Sequence, residues 1–255
     1  MWCFIDESWA ERKDGGRVGV IFAVTVAGSA VPVVDHKLYA TRRQWYGAEH
    51  AKDATRELKG SELLSNSCFR LAARLKQEAP RNHCVAREIL SWCGKERERL
   101  SLNAFAAIVF GTDPKLDCLT PRLLELPFRE LLFDVSECCR AANRRDHVTL
   151  VMDQRGRAQE GIAISVHNFV AGVGLDNVIP YTYFAVSNVA PLVQVADICA
   201  YITARRAVGD ARFLQPWWGD VMRLQWSGRV EGKLRHGFRR YDQVGRSQFR
   251  LRPQW

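Results

Sequence analysis

The chain of 255 residues is predicted to form an α/β domain whose mixed sheet is flanked by helices, followed by a basic C-terminal extension. An antiparallel meander is expected at the N-terminus, because apolar runs alternate there with short polar turns. Parallel strands are expected further on, because β-rich runs then alternate with helical patterns. In addition, several apolar elements carry a single carboxylate, which needs a cation or hydrogen bonds to satisfy it.

The first half of the chain carries the meander and two helical regions. Strands are predicted at residues 2–8, 18–26, 31–39 and 102–110. The run 18–26 is uniformly apolar and is therefore placed inside the sheet. Helical patterns cover residues 62–77 and 85–99.

The second half alternates helices with strands and then changes in composition. Helices are predicted at residues 127–144, 160–172 and 190–207, and strands at residues 148–152 and 181–186. From about residue 211 the chain is rich in tryptophan and arginine. We therefore predict an α/β domain over residues 1–210 and a basic extension over residues 211–255.

The excess of basic over acidic residues favours a partner that carries many negative charges. The formal net charge is +9, so nucleic acid is the expected partner class, although a solvated basic surface explains the charge equally well. The sequence has no apolar run long enough to span a bilayer and no recognisable secretory signal, so we expect a cytoplasmic protein without a membrane partner and with reduced thiols. Its oligomeric state is left open.

Three apolar elements each deliver one carboxylate. Asp6 ends the first apolar run, Asp153 ends the strand at residues 148–152, and Asp197 lies in the apolar helix at residues 190–207. Their shared placement suggests that they converge on a cation. Mg²⁺ or Mn²⁺ would suit such a site, because hard divalent cations prefer oxygen ligands. Two such ions roughly 3.5–4 Å apart can activate water and stabilise a leaving oxygen in phosphodiester cleavage.

Four short motifs in the same order resemble a known family. They are Phe4-Ile5-Asp6-Glu7-Ser8, Glu57-Leu58-Lys59-Gly60-Ser61, Asp153 after a β-rich run, and Gln194-Val195-Ala196-Asp197 in an apolar helix. Together they resemble the family called domain of unknown function 3800, over roughly residues 1–207. That family is similar to the ribonuclease H-like superfold, whose members include ribonucleases, resolvases and integrases.

The resemblance implies a ribonuclease H-like fold and an acidic metal site. Its ligands would be Asp6, Glu57, Asp153 and Asp197. The substrate is left open, since the family is functionally ill defined. In one departure, Trp9 follows Asp-Glu-Ser where the family usually has glycine, and Trp9 could cover the site.

Each of these residues also has a structural interpretation. Asp6 could simply end a strand, Glu57 could interact with a helix dipole, and Asp153 could cap the turn that follows it. Lys59 could be a surface lysine instead of a phosphate-binding cation. Asp197 could be the partner of a buried cation or belong to a hydrogen-bond network.

The first functional hypothesis is a metal-dependent nuclease. Its catalytic residues would be Asp6, Glu57, Asp153, Asp197 and Lys59. Glu7, Ser8 and Gln194 would contact the metal ligands and hold them in position without binding the metal themselves. A second hypothesis is a nucleic-acid-binding module with a degenerate metal site, in which arginines and aromatic residues of the extension carry the binding. A third is a protein-interaction component of a defence or toxin assembly.

Overall fold

The computed structural model describes residues 1–53, 57–69, 81–111, 126–142, 146–154, 156, 159–245 and 248–252. The strands are β1 (Trp2–Glu11), β2 (Arg17–Val26), β3 (Asn103–Gly111), β4 (Val148–Asp153), β5 (Val178–Ala185), β6 (Ser227–Val230), β7 (Lys233–His236), β8 (Phe238–Gly245) and β9 (Gln248–Leu251). The helices are α1 (Val31–Tyr46), α2 (Ala48–Lys52), α3 (Gly60–Leu63), α4 (Arg81–Lys95), α5 (Arg97–Leu100), α6 (Leu126–Ala142), α7 (Gln159–Val173), α8 (Pro191–Ala207) and α9 (Trp217–Arg223).

Seven strands form one mixed sheet in the order β5-β4-β1-β2-β3-β8-β9. β1, β2 and β3 are antiparallel neighbours, whereas β4 runs parallel to β1 and β5 runs parallel to β4. On the other side, β8 is parallel to β3 and β9 is antiparallel to β8. The predicted α/β class with a mixed sheet flanked by helices is therefore confirmed.

Helices cover both faces of this sheet. One apolar core lies between the sheet and helices α1, α4, α8 and α9, and the other lies between the sheet and helices α6 and α7. Strand residues alternate between these cores, as the pleat requires. In β1, for example, Phe4 faces the α8 side and Ile5 faces the α6 side. The α8 side is the one that matters for the candidate site.

The prediction of a strand at residues 31–39 is wrong. These residues begin helix α1, in which Pro32 occupies the first turn, where a proline costs no hydrogen bond. The buried residues Val34 and Leu38 are four apart and share one helix face, which outweighs the β propensity of the valines. The third strand of the meander is instead β3, which returns much later in the chain. Of the predicted helix at residues 62–77, residues 70–77 lie outside the described residues.

The C-terminal segment is built into the sheet. β8 pairs with β3 through the register Ala106↔Phe238, and the ring of Phe238 packs edge-on against Phe22 at 5.5 Å between centroids. Trp226 lies against Phe105 at 5.6 Å. The sheet therefore continues across the boundary that was predicted at residue 210.

Among the described residues, no helix combines the length and apolar character needed to cross a bilayer.

Candidate functional site

Two of the predicted acids stand side by side on parallel strands. The register of β1 and β4 pairs Ile5 with Met152, and Asp6 and Asp153 are the next residue on each strand. Both lie on the α8 side of the sheet, because each is two residues beyond a side chain in that core, Phe4 for Asp6 and Val151 for Asp153. Neighbouring strands are about 4.8 Å apart, so the two carboxyl groups share one small region.

Helix α8 presents a third acid to the same side. Gln194, Asp197, Tyr201 and Arg205 follow one another at intervals of three or four residues and therefore share one helix face. The remaining faces of α8 are almost wholly apolar and buried, which fixes the rotation of the helix against the sheet. Asp197 is thereby held above the strand that carries Asp6.

The segment at residues 57–60 is attached to this face of α8 by two hydrogen bonds. The backbone N–H of Leu58 donates to the side-chain oxygen of Gln194 at 3.2 Å, and the N–H of Gly60 donates to Oδ2 of Asp197 at 2.7 Å. A side chain at position 60 would meet Cβ of Tyr201 at 2.8 Å, so the close approach requires glycine. Glu57 is carried into the site by this attachment.

These elements enclose an open cleft of about 480 Å³. It is lined by Asp6, Glu7, Ser8, Trp9, Glu57, Lys59, Ser61, Asp153, Gln154, Asp197, Tyr201 and Arg205. Five of these side chains are carboxylates and two are cations. The cleft therefore concentrates negative charge, and a cationic ligand would relieve the repulsion between its carboxylates.

Burial and nearby charges both act on Asp197. Burial is the largest cause that raises its pKa to about 6. The N–H of Gly60 opposes this shift, whereas the negative charge of Glu57 adds to it. Lys59 lowers the pKa of Asp197, and the carboxylate of Asp153 raises it. The negative charges of Glu57 and Asp153 therefore both act on Asp197.

Asp6, Glu57 and Lys59 have further partners in the cleft. Asp6 is 7% exposed, and its Oδ1 accepts the backbone N–H of Glu7 at 2.8 Å. Lys59 is half exposed and lies 3.3 Å from Oε2 of Glu57, whose charge raises the pKa of Lys59. Asp153 accepts the N–H of Gln154 at 2.8 Å, as expected for a residue that also ends a strand.

The structure brings nearly all of the predicted residues into one cleft. Asp6, Glu7, Ser8, Glu57, Lys59, Asp153 and Asp197 all line it. Gln194 does not line it; its amide group instead joins Leu58 to the carbonyls of Ser187 and Asn188, so it positions the backbone beneath the site. Trp9 lines the cleft with about half of its surface exposed, and the cleft remains open beside it.

Tyr201 and Arg205 line the cleft but were not predicted. Their spacing from Asp197, four and eight residues along one helix, is the signal that could have identified them. It was obscured because an arginine near a helix C-terminus is usually explained by the helix dipole.

Several arginines of the basic C-terminal segment are engaged within the fold. Arg239 and Arg235 both pair with Asp134, which is 1% exposed and lies on α6. Arg252 pairs with Asp242 and lies over the ring of Phe110. These ion pairs engage guanidinium groups of β7, of β8 and of the residue after β9, which reduces the part of the segment that is free to bind phosphate.

Within the described ranges, no three His, Cys, Asp or Glu side chains form a ready metal-binding group as they stand. Comparison with protein-family models, with curated proteins and with solved structures found no match to this chain. The resemblance to the family called domain of unknown function 3800 therefore stays an expectation that rests on the order of four motifs.

Proposed function

We propose that the protein is a divalent-metal-dependent nuclease that hydrolyses phosphodiester bonds of nucleic acid in this cleft. The observation that carries the proposal is the position of Asp6 and Asp153, side by side on parallel strands and on the face that α8 covers. Asp197 and Glu57 line the same cleft from α8 and from the attached segment. Strands β3-β2-β1-β4-β5 also have the antiparallel meander and parallel continuation expected of a ribonuclease H-like sheet.

The donor set fits Mg²⁺ or Mn²⁺. Asp6, Glu57, Asp153 and Asp197 offer only oxygen atoms, which hard divalent cations prefer, and they would hold the ion. Because they do not form a ready group as they stand, binding requires their side chains to turn towards a common point. A bound ion would supply an activated water and stabilise the charge on the leaving oxygen.

The other residues of the cleft position this donor set. Gln194 and Asp197 hold the backbone at Leu58 and Gly60, so Glu57 has a defined location. Lys59 stands half exposed beside Glu57 and can contact a phosphate while it offsets the charge of that carboxylate. The half-exposed ring of Trp9 offers a surface on which a base can stack.

The test is cleavage of labelled single-stranded and duplex DNA and RNA in Mg²⁺, in Mn²⁺ and in chelator. We expect cleavage that requires the ion, and a loss of at least about 100-fold in Asp153→Asn, because mutating even the partners of metal ligands costs about 10–100-fold. Asp176→Asn is the matched control, because it removes the same charge from an exposed carboxylate at the opposite end of the parallel strands. Cleavage that persists in chelator, or that survives in Asp153→Asn, would contradict the proposal.

Binding of nucleic acid without cleavage under any of these conditions would also contradict it. The nucleic-acid-binding module with a degenerate site would then be the better hypothesis. Substitutions of Arg229, Lys233 and Arg250 would test the C-terminal segment in that case. Deletion of residues 229–255 would not, since it removes two strands of the sheet.

A further inference from the structure

The cleft is acidic at one end and basic at the other. Asp197 lies among the carboxylates, and Arg205 is eight residues further along the same helix face, about 12 Å away measured between Cα atoms. A cleft that served only to bind a cation would have no use for an arginine in its lining. A ligand with a further negative group beyond the carboxylates would explain both ends.

Tyr201 holds the guanidinium group of Arg205 in the cleft. Arg205 Cζ lies 5.1 Å from the centre of the Tyr201 ring, within the range of a cation–π contact. The ring itself is fixed, because Tyr201 is 8% exposed, packs against Gly60 and donates its hydroxyl proton to the carbonyl of Leu64 at 3.4 Å. Stacking holds the plane of the guanidinium group and leaves its N–H edge available for a bidentate anion.

Arg205 has no ion-pair partner in the part of the chain that the structure describes. Its Nε atom is buried there without a hydrogen-bond partner. The nearby carboxylate of Asp210 is already bonded by Arg212 through two nitrogen atoms. By contrast, the partly buried Arg239 is paired with the carboxylates of Glu130 and Asp134. An unpaired, pre-oriented arginine in a ligand cleft is the arrangement expected of an anion site.

We infer that Arg205, stacked on Tyr201, binds a backbone phosphate of the nucleic-acid strand that neighbours the phosphate being cut. The inference rests on the proposed function and specifies which part of the substrate the basic end of the cleft binds. Arg205 lies two helical turns beyond Asp197, so we assign to it the phosphate next to the scissile one, and Arg205 contributes to the binding of longer substrates.

The experiment compares Arg205→Gln with Arg43→Gln, which removes the same charge from an exposed arginine of α1 outside the cleft. Two substrates are used: a labelled oligonucleotide, and bis(p-nitrophenyl) phosphate, which contains only the phosphate that is cut. Oligonucleotide affinity is also measured in chelator as a function of salt. Thermal melting checks that each variant folds, and Arg205→Lys provides a variant that keeps the charge.

We expect Arg205→Gln to raise the KM and the metal-free Kd for the oligonucleotide about tenfold, with little change in kcat. The slope of log affinity against log salt should fall by about 1. Arg43→Gln should leave the Kd nearly unchanged, and neither variant should alter the cleavage of bis(p-nitrophenyl) phosphate. Arg205→Lys should be intermediate, because it keeps the charge and loses the stacked fork.

Two results would overturn the inference. If Arg205→Gln and Arg43→Gln have equal effects on oligonucleotide binding, Arg205 binds no phosphate. If Arg205→Gln reduces the cleavage of bis(p-nitrophenyl) phosphate as strongly as the cleavage of the oligonucleotide, Arg205 acts on the phosphate that is cut. The failure of this inference can be told apart from the failure of the nuclease proposal. If oligonucleotide binding in chelator depends on Arg205 but no cleavage occurs under any condition, the anion site is supported and the nuclease proposal is contradicted.

Discussion

Asp197 is partly buried and accepts a short hydrogen bond from the N–H of Gly60 at 2.7 Å. It makes no ion pair with any residue that the structure describes, and the cation that lowers its pKa, Lys59, is half exposed, so no buried cation is its partner there. Glu57 and Asp153 add negative charge around it. In the absence of a bound cation, the charged form of Asp197 therefore costs stability rather than adding to it.

Asp197→Asn tests this environment. The amide keeps an oxygen that can accept the N–H of Gly60 but removes the charge, so we expect an equal or higher melting temperature in chelator. The rise in melting temperature caused by Mn²⁺ should shrink, because a ligand that binds only the folded state stabilises it in proportion to its affinity. Asp176→Asn should leave both values unchanged. A loss of about 3–5 kcal/mol in chelator would instead identify a buried ion pair.

Individual site residues differed in how far the sequence could predict them. Asp6 and Asp153 end apolar strands, and Asp197 is the lone acid in the first turns of an apolar helix. Because burying an unpaired charge is costly, an acid in such an apolar element can be recognised from the sequence as a candidate site residue. Glu57 lies in a polar segment, where its placement depends on contacts with α8 that composition does not reveal. Arg205 depends on a stacking contact with Tyr201 and on the engagement of the nearby Asp210 by Arg212, which only the folded chain defines.

Among the elements, the contact between the segment at residues 57–60 and helix α8 controls the site most directly. Gly60 allows the backbone to approach Cα of Ile198 so closely that an added Cβ would lie 3.0 Å away. The neighbouring contacts are a helix backbone and the Cβ of a buried tyrosine, which cannot move aside at low cost. The segment itself must therefore shift if the glycine is replaced.

Gly60→Ala is expected to destabilise the protein by about 1–3 kcal/mol and to reduce activity beyond that loss of stability. The shift would lengthen the bond from Gly60 to Asp197 and move Glu57. Gly172→Ala is the control: no atom lies within 4 Å of the added Cβ, and alanine is favoured in a helix, so melting temperature should rise slightly. Equal melting temperatures for the Gly60 variant and the wild type would show that the close approach is absent.

Helices α1 and α4 are joined by a polar cluster around Glu88. Lys37, Thr41 and the indole N–H of Trp45 all donate to its carboxylate, at 2.6, 3.1 and 2.8 Å. Burial raises the pKa of Glu88, but these hydrogen bonds outweigh it, so the pKa lies below its ordinary value of 4.5. The bonded carboxylate therefore stabilises the fold above pH 4.5.

Glu88→Gln should lower the free energy of unfolding at pH 7 by about 1–3 kcal/mol, because hydrogen bonds to a charged acceptor are lost. The difference from wild type should shrink as pH falls through the lowered pKa, where protonation removes the same interactions in the wild type. Urea unfolding at pH 7 and at successively lower pH measures this. A difference that does not depend on pH would mean that the charge of Glu88 is not what joins the helices.

For the molecule as a whole, the sheet is closed by strands from distant parts of the sequence. The meander and β4 could be predicted because each is a local apolar run, whereas the misplaced third strand and the pairing of β8 with β3 depend on non-local contacts. The basic composition of the C-terminal segment suggested a surface appendage. Two of its arginines, Arg235 and Arg239, instead form ion pairs with Asp134, a carboxylate buried under the sheet.

The fragment of residues 1–210 should therefore fail to fold as a stable unit. It lacks five buried aromatic side chains, Phe213, Trp217, Trp226, Phe238 and Tyr241. Burial of each contributes about 1.5–3 kcal/mol, so together they approach the 5–15 kcal/mol that stabilises a typical domain. The fragment would also expose β3 as a long apolar edge, which favours aggregation.

Near-UV circular dichroism and thermal melting of this fragment measure the outcome, with a truncation after residue 252 as the control. We expect the control to melt cooperatively like the full chain, since it retains all of β9. The fragment of residues 1–210 should give weak near-UV signals and precipitate or melt without a cooperative transition. A cooperative transition near that of the full chain would show that residues 211–255 are an appendage after all, because the core would then be complete without β8.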